Sequence, residues 1–149
     1  DEASKLLTDA VEAGIPVLGI CFGHQLLCKA LGGEVSRTPE RTDSVTPLFS
    51  VGMDTLLSPI KHGLFTHQDH VTKLPPGARK VISTKHCINA GMRMAGRQVW
   101  GVQFHPEASR AVIEQALADG DMNESEYAAF DQDHDGADLL ASFAALCMP

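Results

Sequence analysis

Long hydrophobic runs are absent from this sequence of 149 residues, and no apolar stretch approaches the roughly 20 residues of a membrane-spanning helix. Cysteines are few and scattered. The four of them form no CxxC pair, and in a chain of this size that favours reduced thiols over a disulfide framework. We therefore expect a cytoplasmic protein that makes no contact with a membrane.

Positive charge is scarce as well. Twelve lysines and arginines stand against 19 acidic residues, for a net charge of −7, and no basic residue follows Arg110. Such a chain lacks the basic surface that binds a phosphate backbone, so we expect no nucleic-acid partner. Hydrophobic residues make up 44% of the chain and charged residues 21%, as in ordinary folded proteins, and the length predicts a single domain over residues 1–149.

The order of apolar patterns predicts an α/β fold with a parallel sheet. A helical pattern at 6–11 is followed by an apolar run at 16–20 and by a second helical pattern at 21–31. Residues 41–61 are expected to form an irregular surface stretch. The remaining predicted elements are strands at 34–37, 63–66, 80–84, 88–94 and 98–104, the last two forming a hairpin, and helices at 107–118, 125–130 and 137–146.

A cysteine between two glycines follows the first predicted strand, in the segment Gly19-Ile-Cys21-Phe-Gly23. A nucleophile on a tight strand-to-helix turn needs small neighbours, because the backbone there is strained and crowded. The helix N-terminus favours a thiolate, and the amide of Phe22 is suited to stabilise an oxyanion. On this segment alone, a buried structural cysteine explains the pattern equally well.

A histidine ends the last predicted strand, in Trp100-Gly-Val-Gln-Phe-His105-Pro-Glu107. The carboxyl edge of an open α/β sheet is where catalytic groups collect, and we expect His105 to project there. Glu107 is near enough in sequence to orient the imidazole. A thiol that needs a base, and a base that needs an orienting group, make a catalytic interpretation the better one for the two motifs together.

These two motifs resemble those of the class I glutamine amidotransferases, and the resemblance covers nearly the whole chain. It is strongest toward the amidotransferase domain of GMP synthases and its stand-alone relatives, through the stretch Thr66-His-Gln-Asp69 and the later Leu74-Pro-Pro-Gly77. The resemblance implies a flavodoxin-like fold, an open and mostly parallel sheet with helices on both faces. It also implies hydrolysis of glutamine, with no cofactor, through a Cys-His-Glu triad and a glutamyl thioester.

Carried onto this sequence, the resemblance makes Cys21 the nucleophile, His105 the proton carrier and Glu107 its orienting group. It implies contacts to the substrate from five further residues, Phe22, Gly23, Gln25, His67 and Gln68. Gln68 stands where the relatives have glycine.

Family members have further strands and a Gly-rich turn upstream of the point where this sequence starts, so we expect the domain to be N-terminally incomplete. Because no P-loop occurs, a synthetase step would need another domain or subunit as the ammonia acceptor. Two alternatives stay open: a γ-glutamyl peptidase with the same triad, and a non-catalytic remnant.

A metal site is not expected. The segment His67-Gln-Asp69-His70 places two imidazoles and a carboxylate at a spacing that zinc can use. Phe65 stands where a further histidine would strengthen that pattern, and we expect these residues to line a pocket or lie at the surface.

Overall fold

The computed structural model describes all 149 residues. Helices and strands follow one another along the chain in the order α1 (Glu2–Glu12), β1 (Val17–Ile20), α2 (Phe22–Ala30), β2 (Glu34–Pro47), β3 (Phe49–Ser50), β4 (His62–Lys73), β5 (Ala78–Ser83), β6 (Gly91–Met94), β7 (Val99–Val102), α3 (Arg110–Ala118), α4 (Glu124–Ala129) and α5 (Gly136–Cys147). The predicted α/β fold is confirmed.

Two sheets organise the strands. The larger one has the order β1-β7-β6-β5-β3, and the smaller one pairs β2 with β4. Strands β1 and β7 are parallel, while the other three pairs of the larger sheet are antiparallel. The mostly parallel sheet that the resemblance implies is therefore a mixed sheet in this chain, with its parallel pair beneath the candidate site. The predicted hairpin is confirmed as β6 and β7.

Helices cover both faces of the larger sheet, as expected, because residues of β7 alternate between two apolar clusters. Val99 packs with Leu27 of α2 on one face, and Trp100 packs with Leu139 of α5 on the other. All four side chains are almost fully buried. Burial of each one stabilises the fold by about 1.5–3 kcal/mol.

The irregular stretch predicted for 41–61 is wrong for its first half, because β2 continues to Pro47 and β3 follows at Phe49–Ser50. The partner of β2, which is β4, runs to Lys73, well beyond the strand predicted at 63–66. Charged residues and Pro39 hide this strand in the sequence. The pairing register shifts between Arg37 and Thr42, and this irregularity takes up the proline without ending the strand.

None of the five helices combines the length and apolar character that a membrane crossing requires.

Candidate active site

Cys21 lies at the junction of β1 and α2, where it caps the helix. Its φ of 51° makes it the only residue other than glycine with a positive φ. Its amide donates a hydrogen bond of 2.8 Å to the carbonyl of Val102, which ties the turn to β7. A strained turn of this kind presents a side chain above the sheet, as a nucleophile requires.

The two glycines beside Cys21 have different surroundings. A Cβ at Gly19 would lie 2.9 Å from the carbonyl oxygen of Gly23, so glycine is needed for the close approach of β1 and α2. A Cβ at Gly23 would meet nothing within 4 Å. The prediction that both glycines relieve crowding is therefore confirmed for Gly19 and wrong for Gly23, which leaves open space beside the cysteine.

His105 follows β7, and its amide donates to the carbonyl of Leu64 at 2.8 Å. Its Nδ1 lies 2.8 Å from Oε1 of Glu107. The proximity of Cys21 is the largest cause that raises the pKa of His105 to about 9, and Glu107 adds to the effect against the cost of burial. Glu107 thus holds one nitrogen of the imidazole, and Cys21 and Glu107 together favour the protonated ring.

Gln103 is a site residue that sequence analysis did not identify. It is fully buried, and its Nε2 lies 3.5 Å from Sγ of Cys21 as a donor. Its Oε1 accepts from Nε2 of Gln25 at 3.2 Å, and the same Nε2 donates to the carbonyl of Asp69 at 2.9 Å. The sequence feature that could have identified it is a polar amide side chain within the otherwise apolar strand pattern at 98–104.

Residues of β4 form one side of the site. The carbonyl of Thr66 lies 4.0 Å from Sγ of Cys21. The ring of His67 is buried and turned away toward His86, while the amide of Gln68 donates to the carbonyl of Thr38 at 3.0 Å. The side chains of His67 and Gln68 are thus engaged within the protein, and the strand backbone is what reaches the cysteine.

A cleft of about 380 Å³ opens beside His105. This volume is within the range of about 300–1,000 Å³ that small-molecule sites occupy. Arg41 and Asp43 line it and form a bidentate pair, with nitrogen-to-oxygen distances of 3.1 and 3.2 Å. Hydrogen bonds from Arg41 are the largest cause that holds the pKa of Asp43 below its usual value. Sequence analysis missed both residues because it treated their segment as irregular.

Comparison with known proteins gives concordant findings. The model of the family "Glutamine amidotransferase class-I" matches residues 1–122. The chain is 37% identical over 129 residues to a glutamine-hydrolysing GMP synthase of Bordetella parapertussis, covering 78% of this chain and 24% of that protein. The chain thus spans about a quarter of the length of such relatives.

Solved structures resemble the fold. A glutamine amidotransferase from Methylobacillus flagellatus has a TM-score of 0.71 at 26% identity and covers 80% of this chain and 49% of its own. A glutamine amidotransferase from Thermotoga maritima has a TM-score of 0.74 at 24% identity. The match covers 98% of this chain and 62% of that protein. The expected flavodoxin-like fold is confirmed.

Proposed function

Because this chain belongs to the class I glutamine amidotransferase family, we propose that it releases ammonia from the side-chain amide of glutamine, with Cys21 as the nucleophile. The observation that carries the proposal is the arrangement of Cys21, His105 and Glu107. The cysteine stands in a strained turn at a helix N-terminus, and the histidine that interacts with it is held at its other nitrogen by a carboxylate.

In the first half of the reaction, the proton of the Cys21 thiol passes to His105. The sulfur attacks the side-chain amide carbon of glutamine and forms a carbon–sulfur bond. His105 returns its proton to the amide nitrogen, the carbon–nitrogen bond breaks, and ammonia leaves. The product on the enzyme is a γ-glutamyl thioester.

In the second half, His105 takes a proton from a water molecule, whose oxygen attacks the thioester carbon. The carbon–sulfur bond breaks, the sulfur takes the proton back from His105, and glutamate leaves. Glu107 acts by holding the imidazole in one orientation and by favouring its protonated form, which both halves pass through.

An oxyanion forms on the amide oxygen in each half of the reaction. Phe22 is the first residue of α2, so its amide has no acceptor within the helix and is free to donate to this oxygen. The open space at Gly23 gives the substrate access to the same point.

The substrate pocket is proposed to be the cleft beside His105, which residues of β2 and β4 line. Gln25 contacts the glutamine or holds Gln103 in place, while His67 and Gln68 contribute the backbone of β4. Arg41 and Asp43 carry the charges that complement the α-carboxylate and α-amino groups of an amino acid.

The ammonia acceptor is proposed to be a synthetase domain or subunit. The matched relatives are glutamine-hydrolysing GMP synthases, of which this chain spans about a quarter. No P-loop occurs in the sequence to activate an acceptor with ATP.

A γ-glutamyl peptidase is the second candidate, because the cleft beside His105 continues past Arg41 to α4 and has room for a group attached to the γ-amide. Glutaminase and γ-glutamyl peptidase assays at equal substrate concentrations separate the two functions by their kcat/KM values.

Covalent labelling with a diazoketone analogue of glutamine tests the proposal. We expect one adduct on Cys21, blocked by excess glutamine and absent from the Cys21→Ala variant. Iodoacetamide is the control for an accessible thiol. If iodoacetamide modifies Cys21 in the folded chain and the analogue does not, the glutamine site is incomplete and the remnant alternative is favoured.

A further inference from the structure

We propose that His67, His86 and Cys87 form a binding site for zinc, separate from the Cys21 site. His67 lies within β4, whereas His86 and Cys87 lie between β5 and β6, so the two halves of this histidine–cysteine cluster are joined only by the fold. One ligand atom from each residue lies within 4.8 Å of the others. Imidazole nitrogen and thiolate sulfur are the donors that zinc prefers.

The two imidazoles face each other through the nitrogens that would bind the ion. Nε2 of His67 lies 3.1 Å from Nε2 of His86. A tetrahedral ion with zinc–nitrogen bonds of about 2.0–2.1 Å separates two ligand nitrogens by about 3.3 Å. The observed spacing therefore fits a shared ion after a shift of a few tenths of an ångström.

The tautomer of His67 is set by its surroundings. Its Nδ1 lies 2.9 Å from the carbonyl oxygen of Asp69, which can only accept a hydrogen bond. Nδ1 therefore carries the hydrogen, and in the neutral ring Nε2 presents a lone pair toward His86. A backbone carbonyl on the far nitrogen is the partner that commonly orients a zinc-bound histidine.

Thr84 orients the ring of His86 through a hydrogen bond at Nδ1. Its Oγ1 lies 3.0 Å from Nδ1 of His86, accepts from the amide of Cys87 at 2.9 Å and lies 3.4 Å from the carbonyl of Cys87. When the hydroxyl donates to that carbonyl, Nδ1 of His86 is the donor to Thr84. Both Nε2 atoms then present lone pairs to each other, which is unfavourable. A cation bound between them removes this repulsion.

A proton is the competing occupant of this position. If the Thr84 hydroxyl instead donates to Nδ1 of His86, the two rings share a single hydrogen between their Nε2 atoms. The two arrangements differ in what the cluster binds, so metal binding distinguishes them directly.

Burial favours the neutral, metal-binding form of both histidines. Burial is the largest cause that lowers the pKa of His86 to about 4, and it also lowers the pKa of His67. Burial raises the pKa of the Cys87 thiol to about 12. Zinc binding therefore releases one proton from Cys87 as the sulfur–metal bond forms.

An entry path and a further ligand are present. A cleft bounded by β2 reaches the cluster, with Glu40, His70 and His86 in its lining. The ring of His70 lies 4.6 Å from that of His67 and 5.9 Å from that of His86, measured between centroids. His70 is thus the nearest imidazole for the fourth position, and an ion here would brace β4 against the segment after β5.

The test measures zinc bound per chain. Because Cys21 and His105 are themselves able to bind a metal, the measurements use the Cys21→Ala background, with folding checked by circular dichroism. Chain stripped with EDTA is equilibrated with zinc, freed of excess by gel filtration and analysed by mass spectrometry of the metal. We expect about one zinc per chain.

Two substitutions locate the ion. His86→Gln and Cys87→Ser are each expected to weaken zinc binding at least tenfold, while His62→Gln and Cys147→Ser, which change a histidine and a cysteine outside the cluster, leave it unchanged. With cobalt in place of zinc, a thiolate-to-metal charge-transfer band is expected in the background chain and absent in Cys87→Ser.

Two outcomes overturn the proposal. One is a folded background chain that retains no zinc, in which case the two rings share a proton. The other is zinc retained equally by His86→Gln and Cys87→Ser, which would place the ion elsewhere.

Discussion

At the residue scale, Gln103 connects the proposed nucleophile to the interior. Its amide is the buried donor to Cys21, and it also accepts from Gln25. A Gln103→Leu substitution removes the donor and leaves the sulfur free to change its orientation. We expect kcat for glutamine hydrolysis to fall about 10- to 100-fold, which corresponds to the loss of one buried hydrogen bond.

The readout that separates positioning from folding is the alkylation of Cys21 by iodoacetamide, followed by peptide mass spectrometry. Its rate should change in Gln103→Leu at unchanged helix content. The matched control is Gln98→Leu, which changes an exposed glutamine close in sequence and should leave both kcat and alkylation as in the parent. Equal kcat for the two variants would remove Gln103 from the site.

The pKa of His105 should respond to both of its neighbours in a stated order. Cys21 is the larger cause of the rise to about 9, and Glu107 is the smaller. We therefore expect the pKa of His105, followed by NMR titration, to fall further in Cys21→Ala than in Glu107→Gln. The reverse order would mean that the carboxylate, and not the sulfur, dominates the electrostatics of this histidine.

At the scale of elements, Asp54 joins the segment between β3 and β4 to the β6–β7 hairpin. Its buried carboxylate accepts from Nε1 of Trp100 and from Nη1 of Arg93, each at 3.1 Å. Asp54→Asn leaves these donors without their charged partner, and we expect the free energy of unfolding to fall by about 2–4 kcal/mol. Urea denaturation measures the change.

The matched control for that prediction is Asp9→Asn. Asp9 forms an exposed pair with Lys5 one turn away in α1, and such pairs contribute about 0.3–0.5 kcal/mol. A similar loss in both variants would show that Asp54 does not join the two elements as described.

Helix α5 supports the loop that carries the proposed acid–base pair. A Cβ at Gly136, the first residue of α5, would collide with the backbone of Pro106, which lies between His105 and Glu107. We expect Gly136→Ala to displace this loop and to lower kcat at least tenfold. Ala141→Gly, at an exposed position of the same helix, is the control: it should cost stability by about 0.5–1 kcal/mol and leave kcat unchanged.

At the scale of the whole molecule, the histidines set how stability depends on pH. The pKa values of His24 and His86 are lowered to about 4 by burial, against 6.5 in the unfolded chain. Between those values the unfolded chain binds more protons, so stability should fall as pH drops below 6.5. The contribution of His105 to the pH dependence of stability has the opposite sign. Its raised pKa stabilises the fold at low pH, and this stabilisation is lost as pH rises from 6.5 toward 9.

We therefore expect the urea midpoint of EDTA-treated chain to be highest near pH 6.5–7. His105→Gln should flatten the alkaline side of the profile and leave the acidic side in place. A midpoint that rises steadily from pH 5 to 9 in both proteins would contradict these assignments.

The parts of the fold that sequence analysis predicted are those with local causes. The β1–α2 turn, the hairpin of β6 and β7 and the three C-terminal helices each follow from residues close together in the chain. The extent of β2 could not be predicted, because its exposed, charged residues form a strand only through pairing with β4.

By itself, the sequence determined that a cysteine follows a buried strand at a helix N-terminus. It also determined that a histidine and a glutamate, two residues apart, follow a second apolar strand. Backbone geometry acts over such short spans, so these features need no knowledge of the rest of the chain. The tertiary structure alone decided that Gln103 meets Cys21, 82 residues away, and that His67 meets His86. The physical reason is that contacts between distant residues depend on strand pairing and burial, which are set by the packing of the whole molecule.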